Sequence, residues 1–448
     1  MIKYVTRTHK IHISKYHKYF KTIDSASLKA KNLYNAALYL ERQQFFNNQP
    51  FINNFTLYKL IKGTDAFNEL HDLIKTEPQA VLKQVYQDIT SFKQATKSYF
   101  KNPEKFKSKP KLPNYKHKID GRSSLEFNCI MFNIQNSQIH INSLDIHIDV
   151  PKYLKGMTSK KYQTNIYLDE EESPLELINI RIVPANGEYN IELIYTKQIE
   201  LQDYLQIRHA ASIDLGINNI ITLTTTLPNT QPLLISGRYL KSYNKEFNKK
   251  LAFYKSQAKQ CQNKDITHRI NSLYKNRNHY FNTNIHQIAS YIVNYLTKNK
   301  INLLVVGYNE QWKQNSKLSK KTNQTFIQIP YTKLIQILQY KCYENSIRFK
   351  QVNEAYTSGT SFLDSEPPSK EHYNKARRVH RGLFKTNQGI LINADVNASY
   401  QILKKNTPGF TNNPNFHLKP LNPIKIKPPE ITSKIQFQAE NSVYKNTA

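Results

Sequence analysis

The chain has 448 residues and a formal net charge of +31, from 64 Lys and Arg against 33 Asp and Glu. This length suffices for two or three domains with their own cores, and three widely spaced cysteines exclude a disulfide framework or a four-cysteine zinc site. No stretch of about 18 apolar residues is present, which excludes an ordinary transmembrane helix.

The positive charge predicts a polyanionic partner, because each phosphate contact releases condensed counterions. The 30 Tyr and 21 Phe supply flat rings on which unpaired bases can stack. The same charge would also suit a structural binder of the ribosomal type, or it could reflect lysine enrichment from a low-GC genome. The small number of acids favours nucleic-acid binding, and we expect a cytoplasmic, nucleoid-associated protein of a prokaryote with no membrane contact.

The N-terminal part changes from strand-like to helical patterning. Residues 2–20 alternate apolar and basic side chains in places, which predicts a strand with one solvent-exposed face. From Ser25, apolar residues recur every three or four positions, with Asp24 or Ser25 as a cap. A second helical pattern covers about residues 78–100, so a helical block is expected here.

A basic connector follows, in which Lys alternates with Pro and aromatic residues over 100–118. Proline blocks a regular helix, so this segment is predicted to be extended and able to follow a phosphate backbone. A solvated linker is the alternative. The cations predicted to contact nucleic acid in and beside it are Lys107, Lys109, Lys111, Lys116 and Arg122.

Residues 123–200 have the pattern of short alternating strands joined by turns rich in Asn, Ser, Pro and Gly. Such strands suit a small β-barrel of the kind that grips a nucleic-acid backbone.

From Ala211 the pattern becomes α/β. SIDLGINNIITLTT predicts two strands around a tight turn, residues 240–300 are helical, INLLVVG predicts a buried strand, YTKLIQILQYKCYENS a helix and IRFKQVNEA a strand. A last helix begins in NADVNASYQILKK with Asn393 as its N-cap. Past Lys405 the chain is rich in Pro, Asn and Lys and is predicted to be disordered.

Three acidic residues stand where predicted elements of this α/β block begin or end. Asp214 follows an apolar strand just before Gly216, Glu354 closes a later strand, and Asp395 lies in the first turn of the last helix. Each alone has an ordinary structural role open to it: a turn cap, a surface carboxylate paired with lysine, or an acid favoured by the helix dipole. Together they indicate metal ligands, because two Mg²⁺ ions about 4 Å apart require carboxylates from separate segments.

Several segments resemble one family. SIDLGINNIITLTT, WKQNSKLSKKTNQTFIQIPYTKLIQILQYK, EAYTSGTSFLD, RRVHRGLF and INADVNASYQILKK closely resemble the RuvC-like domain of TnpB (OrfB) proteins of insertion sequences, relatives of Fanzor and of type V CRISPR effectors. PKLPNYKHKIDGRSSLEF is similar to the connector of the same family. The resemblance covers most of residues 1–405 and is most specific over 312–405.

The resemblance implies an α/β RNase H-like (RuvC) nuclease domain, an N-terminal α-helical recognition segment and a small β-barrel (wedge-like) domain. The expected divisions are the first barrel strand (1–20), the helical recognition segment (21–104), the barrel domain (105–205), the nuclease domain (206–403) with a degenerate zinc-ribbon-like insertion (about 356–390), and a basic tail (404–448).

The resemblance also assigns roles to the three acids. Asp214 matches the first catalytic aspartate and Asp395 the last, but the position at which most members carry the middle glutamate holds Gly307. A minority of the family uses a glutamate before the Tyr-Thr-Ser motif, where Glu354 stands. We therefore expect Asp214, Glu354 and Asp395 to bind two Mg²⁺ ions, with Glu310, three residues beyond Gly307, as a weaker candidate for the missing glutamate.

Further basic residues are predicted to contact substrate. Trp312 and Lys313 follow the LLVVG strand in a polar loop that acts either as a lid or as a solvated loop, and Arg377, Arg378 and Arg381 form a cluster suited to phosphate. Relatives carry CxxC pairs after the Tyr-Thr-Ser segment, but residues 356–390 have no cysteine. His372 and His380 alone do not make a zinc site, so no zinc is expected.

The sequence therefore predicts a Mg²⁺-dependent, RNA-guided DNA endonuclease of an insertion sequence, with a guide RNA and target double-stranded DNA as partners. The guide RNA follows from the resemblance alone. Two alternatives stay open: a nuclease-inactive RNA-guided DNA-binding protein, motivated by Gly307, and a transposase that joins strands itself.

Overall fold

The computed structural model describes residues 2–154, 156–159, 175–200, 206–262, 266–308, 328–380, 382–407, 410 and 421–427. Two compact units are present, an N-terminal unit, Ile2–Ile199, and a C-terminal unit that begins at Glu200. None of the described helices combines the length and apolarity that crossing a membrane requires.

The N-terminal unit combines helices with two sheets. Its helices are α1 (Phe20–Phe46), α2 (Asn54–Ile61), α3 (Asp65–Leu73) and α4 (Glu77–Lys101). Ile23, Ala26, Ala30, Leu33 and Ala37 are buried along α1 at the three- and four-residue spacing that the sequence showed. The helix begins at Phe20, five residues before the predicted start.

The strands of this unit are β1 (Ile2–Ile13), β2 (Leu125–Asn128), β3 (Phe132–Gln135), β4 (Gln138–Ile141), β5 (Ile146–Asp149), β6 (Thr158–Ser159), β7 (Leu175–Ala185) and β8 (Glu188–Glu200). One sheet has the order β1-β8-β7-β2, with β6 paired to β7, and the other has the order β3-β4-β5. The described strands thus form two sheets, and the predicted closed barrel is not confirmed. The predicted strand YQTNIYL lies outside the described residues.

The C-terminal unit is built on one mixed sheet. Its strands are β9 (Ala210–Asp214), β10 (Asn219–Thr225), β11 (Leu233–Ser236), β12 (Leu303–Tyr308), β13 (Arg348–Asn353) and β16 (Ile424–Ile426), in the order β13-β12-β9-β10-β11-β16. Pairs β9/β10 and β10/β11 are antiparallel, whereas β12 lies parallel to both β9 and β13. The predicted α/β class is confirmed for this unit.

Helices cover both faces of this sheet. They are α5 (Arg238–Gln262), α6 (His268–Lys298), α7 (Tyr331–Glu344) and α8 (Ala394–Asn406), and a hairpin of β14 (Leu383–Lys385) and β15 (Leu391–Asn393) precedes α8. Leu304 and Val306 of β12 pack in one apolar core with α6 and α7, whereas Leu303 and Val305 pack in another with α8. Burial on both faces explains the unbroken apolar run LLVV, because each face of the strand needs apolar contacts.

The predicted disordered tail contains an ordered strand. β16 pairs in parallel with β11, and Ile426 is fully buried in the core of the sheet. The prediction failed here because Pro and Asn in the surrounding sequence outweighed a three-residue strand signal.

Candidate active site

Asp214 and Glu354 stand at one edge of the mixed sheet. Asp214 is the last residue of β9, and Glu354 directly follows β13. Strand β12, between them, runs parallel to both, with Val306 opposite Ile213 and Gly307 opposite Val352. Because parallel strands end at the same edge, the carboxylates of Asp214 and Glu354 are brought to either side of Gly307.

Asp395 reaches the same region from the first turn of α8. The Asn393 side chain caps the helix by accepting bonds from the backbone N–H of Asp395, at 3.0 Å, and of Val396, at 3.1 Å. The predicted cap is confirmed. The Asp395 carboxylate then accepts a 2.9 Å bond from Asn219 Nδ2 and lies 3.7 Å from Arg378 Nη2.

The three carboxylates interact electrostatically. Burial raises the pKa of Asp214 well above its ordinary value, and the carboxylates of Glu354 and Asp395 raise it further, whereas Arg378 opposes the shift. A carboxylate flanked by two others carries negative charge that a bound cation would stabilise. The structure therefore places the three predicted acids close enough for the charges of Glu354 and Asp395 to act on Asp214.

The Glu354 side chain lies against Gly307. A Cβ added at Gly307 would lie 3.4 Å from Glu354 Oε2 and 2.5 Å from Ile402 Cδ1. The carboxylate of Glu354 thus lies beside the point from which a glutamate side chain at position 307 would start. The backbone of Glu354 is held by Thr357, whose Oγ1 donates to Glu354 O at 2.8 Å.

The carboxylates are not arranged as a finished metal site. In the part of the chain that the structure describes, no group of three or more His, Cys, Asp or Glu side chains has the geometry to hold a metal ion. Asp395 is instead turned to Asn219 and Arg378. The oxygen donors suit Mg²⁺ in kind, but coordination by all three would require side-chain movement.

Two residues beside the acids escaped the sequence analysis. Asn219, the first residue of β10, orients Asp395, and Tyr331, at the start of α7, donates a 2.8 Å bond to Gly216 O. Tyr331 is buried, and its pKa is raised by burial and by the charge of Asp214. The Gly-Ile-Asn-Asn turn contained the signal for Asn219, whereas the contact of Tyr331 is long-range and has no local signal.

The predicted nucleic-acid contacts of the connector differ in their surroundings. Lys107, Lys109 and Lys111 are exposed. Lys116 is half-buried and donates a 2.7 Å bond to Ser123 Oγ, and Arg122 is ion-paired with Asp24, with Nε 2.8 Å from Oδ1. The charged ends of Lys116 and Arg122 are therefore engaged within the protein, which argues against the phosphate contacts predicted for them.

The arginines of the second predicted basic cluster also differ in their surroundings. Arg377 is only 11% exposed and is ion-paired with Asp364 and Glu366, so it does not offer a free guanidinium to a phosphate as predicted. Arg378 faces Asp395 and is 37% exposed. Trp312, Lys313, Arg381 and Glu310 lie outside the described residues.

Two protein families match segments that carry these residues. Residues 195–313 match the OrfB_IS605 family, described as a probable transposase, and residues 331–402 match the Cas12f1-like TNB domain. The first segment contains Asp214, and the second contains Glu354 and Asp395. The predicted resemblance to the TnpB (OrfB) family is thereby confirmed. No curated protein matched the sequence.

Solved structures give further similarities. The protein chain of a Cas12f1–sgRNA–target DNA complex is 16% identical in sequence to this chain. The alignment covers 89% of this chain and 98% of the Cas12f1 chain, with a TM-score of 0.33. A CRISPR-Cas12f ternary complex is 14% identical and covers 88% and 82%, with a TM-score of 0.35. C2c1 of Alicyclobacillus acidoterrestris in complex with single-guide RNA is 9% identical and covers 86% and 70%, with a TM-score of 0.36.

Proposed function

We propose that this chain is an RNA-guided DNA endonuclease of an insertion sequence, which hydrolyses phosphodiester bonds at a RuvC-like site formed by Asp214, Glu354 and Asp395. The observation that carries the proposal is the convergence of these carboxylates at one edge of the sheet: Asp214 ends β9, Glu354 follows β13, and Asp395 lies in the first turn of α8, which packs on β9. They come from separate elements of a chain with a net charge of +31.

The topology of the sheet supports an RNase H-like assignment. Three antiparallel strands, β9 to β11, are followed by β12 and β13, which lie parallel on the other side of β9. This order brings the first strand to the middle of the sheet, with Asp214 at its end. A carboxylate from α8 can then meet it, because α8 packs on β9 and β10.

The protein residues have separable roles in this proposal. Asp214, Glu354 and Asp395 would hold two Mg²⁺ ions, which supply activation of the attacking water and stabilisation of the leaving 3′ oxygen. Asn219 orients Asp395 through its 2.9 Å bond, and Tyr331 fixes the turn after Asp214 through Gly216 O. Arg378, beside Asp395, is placed to contact the phosphate that is cut.

The partners proposed are a guide RNA and target double-stranded DNA. The match of residues 331–402 to a Cas12f1-like domain supports a guide RNA and target DNA, and the match of residues 195–313 to a family described as a probable transposase supports a DNA partner. Base pairing with the RNA would then select the target, while the protein binds the backbone. We propose a cytoplasmic location in a prokaryote, where the target DNA is accessible to the protein.

Sequencing the RNA that copurifies with the protein tests the guide. A single defined species is expected, and changing its target-matching segment should redirect Mg²⁺-dependent cleavage to a DNA of the new sequence. A heterogeneous RNA population, together with cleavage that ignores the RNA sequence, would contradict RNA guidance.

Two alternatives give different results. A nuclease-inactive binder, favoured by Gly307 at the position of the family's middle glutamate, would bind a matched DNA but leave it uncut at every Mg²⁺ and Mn²⁺ concentration. A transposase, favoured by the family description, would join DNA ends in a strand-transfer assay with purified protein alone.

A further inference from the structure

An ion-pair cluster whose charged side chains are mostly shielded from solvent links segments of the insertion at residues 356–390. We call it the Arg377 cluster, and it consists of Asp364, Glu366, Arg377 and Asn387. Arg377 Nη1 donates to both oxygens of Glu366 at 2.7 Å, and Nη2 lies 2.5 Å from Asp364 Oδ2. The side chains of Asp364, Glu366 and Arg377 are 8%, 13% and 11% exposed.

The remaining donors around these carboxylates come from the protein itself. Glu366 Oε2 accepts a 2.7 Å bond from Ser361 N, Asp364 Oδ2 accepts a 2.8 Å bond from Asn387 N, and Glu366 Oε1 accepts a 2.9 Å bond from Asn387 Nδ2. Arg377 Nε donates to Lys385 O at 3.2 Å, and the guanidinium lies 4.9 Å from the centre of the Phe384 ring. One guanidinium thus joins three segments of the insertion.

This cluster does not fit zinc. The carboxylate oxygens of Asp364 and Glu366 face N–H donors, and residues 356–390 supply no cysteine. A tetrahedral zinc site needs sulfur, nitrogen or carboxylate ligands that converge on one point, whereas these oxygens converge on the planar guanidinium. Arg377 is a cation supplied by the chain and makes the cross-link that a metal would make.

The Arg377 cluster is also joined to the acidic site. Gln401 and Lys404 of α8, the helix that carries Asp395, both donate to Glu366 O, at 3.1 Å each. The residue after Arg377 is Arg378, with Nη2 3.7 Å from Asp395 Oδ1. The side chain of Arg377 points into the insertion, and that of Arg378 reaches Asp395. Because the two residues are adjacent, the ion pairs that hold Arg377 also limit the positions that the Arg378 side chain can take.

We infer that the Arg377 cluster is a metal-free cross-link of the insertion and that Arg377 is a positioning residue for Arg378. The positioning role rests on the proposed nuclease function, whereas the cross-link does not. Hydrogen exchange tests the cross-link and DNA cleavage tests the positioning role. A failure of the nuclease proposal would therefore not affect the test of the cross-link.

Amide hydrogen exchange of the full chain tests the cross-link. In Arg377→Met the carboxylates of Asp364 and Glu366 lose their cation, and the amides of Ser361 and Asn387 should exchange about tenfold faster or more. Treating the wild-type protein with EDTA or phenanthroline should leave both amides protected. Unchanged exchange in Arg377→Met, or loss of protection after chelation, would overturn the metal-free cross-link.

Single-turnover cleavage tests positioning with Arg377→Lys, which keeps the charge but not the bidentate geometry. We expect the cleavage rate to fall about tenfold to a hundredfold with unchanged DNA affinity, and the double variant Arg377→Lys, Arg378→Met to cleave no more slowly than Arg378→Met alone. The control is Arg208→Lys, at an exposed arginine of the same unit, which should cleave as wild type. Wild-type cleavage by Arg377→Lys, or losses by Arg377→Lys and Arg378→Met that simply multiply, would overturn the positioning role.

Discussion

The side chains of Glu354 and Ile402 occupy the space directly beside Gly307. Gly307 lies in β12 opposite Val352, and the carboxylate of Glu354 extends toward it from the end of the neighbouring strand. Ile402 of α8 fills the remaining space, since its Cδ1 would be 2.5 Å from a Cβ at position 307. Any side chain at 307 must therefore displace the Cδ1 methyl of Ile402, and its Cβ would contact Glu354 Oε2 at 3.4 Å.

Gly307→Ala tests this steric arrangement. Overpacking should lower the free energy of unfolding by about 1–3 kcal/mol, because Ile402 is fully buried and cannot move freely. Ile402→Val removes the contacting methyl group, so the double variant should lose less stability than the sum of the two single losses. Chemical denaturation provides the measurement.

The control for this pair is Ile139→Val, a buried isoleucine in the core of the N-terminal unit. It should not relieve Gly307→Ala. A Gly307→Ala protein as stable as the wild type would show that the space above Gly307 is not limited as the structure indicates.

At the residue scale, the acids were predictable and the neighbours of most cations were not. Asp214, Glu354 and Asp395 each follow from a local pattern, the end of a strand or the start of a helix. The partners of Arg122 and Arg377 depend on contacts between distant segments, such as Arg122 with Asp24 and Arg377 with Asp364. A count of basic residues therefore cannot distinguish a cation that is free for phosphate from one used inside the fold.

Helix α8 is held on the sheet by a buried network of hydroxyl groups. Ser399 Oγ lies 2.9 Å from Thr224 Oγ1 and 3.1 Å from Ser212 Oγ, and Ser212 Oγ donates to Ser399 O at 2.6 Å. These bonds join α8, which carries Asp395, to β9, which carries Asp214. The network fixes the distance between two of the proposed catalytic acids.

Ser399→Ala should lower the free energy of unfolding by about 1 kcal/mol through the lost hydrogen bonds and should also slow cleavage, because α8 is less firmly held. Ser256→Ala removes an exposed hydroxyl from α5 of the same unit and serves as the control. Denaturation and cleavage rate are measured on both proteins. Equal stability and rate in Ser399→Ala and Ser256→Ala would contradict the role of the network.

The N-terminal end of α4 contains a buried acid. Glu77 is 1% exposed and accepts bonds from Glu126 N at 3.2 and 3.1 Å. Burial raises the pKa of Glu77 well above its ordinary value of 4.5, the backbone bond opposes this shift, and the charge of Glu126 adds to it. The folded state therefore binds a proton that the unfolded state releases.

Stability should fall as the pH rises from the unfolded pKa of Glu77 through its higher folded pKa, and the loss should then persist at higher pH. Glu77→Gln mimics the protonated acid and should reduce this fall. Thermal unfolding at pH 5 and pH 8 measures the difference, with the exposed Glu69→Gln in α3 as the control. An equal pH dependence in wild type and Glu77→Gln would contradict the raised pKa.

At the element scale, periodicity predicted most helices and strands, since burial follows local apolar spacing. The pattern of the second helical run, about residues 78–100, corresponds to α4, Glu77–Lys101. The arrangement of the N-terminal strands in two sheets was not predictable, because strand pairing depends on partners far apart in sequence, such as β1 with β8. The same reason explains the strand β16 in a tail that composition alone predicts to be disordered.

For the whole molecule, which carries a net charge of +31, the number of phosphates contacted by Lys and Arg determines how DNA binding responds to salt. Each phosphate contact contributes a slope of about −0.9 to the logarithm of the affinity for B-DNA against the logarithm of salt concentration. The exposed Lys107, Lys109 and Lys111 lie together in the connector, and Lys109 Nζ is 5.6 Å from the centre of the Phe100 ring. These three lysines are candidates for such contacts.

Replacing all three lysines by glutamine should reduce the magnitude of this slope by about 2–3, measured by titrating a labelled duplex DNA at several salt concentrations. Replacing them by arginine keeps the charge and should leave the slope close to that of the wild type. A glutamine variant with the wild-type slope would show that the connector does not contact phosphate.

The proposed function requires Glu354 to act with Asp214 and Asp395 in cleaving DNA. The most direct measurement is the single-turnover cleavage rate of Glu354→Gln against that of Glu371→Gln, an exposed glutamate in the insertion, with the copurifying RNA, a matched DNA and Mg²⁺. We predict that Glu354→Gln binds the DNA as tightly as the wild type but does not cut it, whereas Glu371→Gln cuts it at the wild-type rate. Cleavage by Glu354→Gln at the wild-type rate would contradict the account.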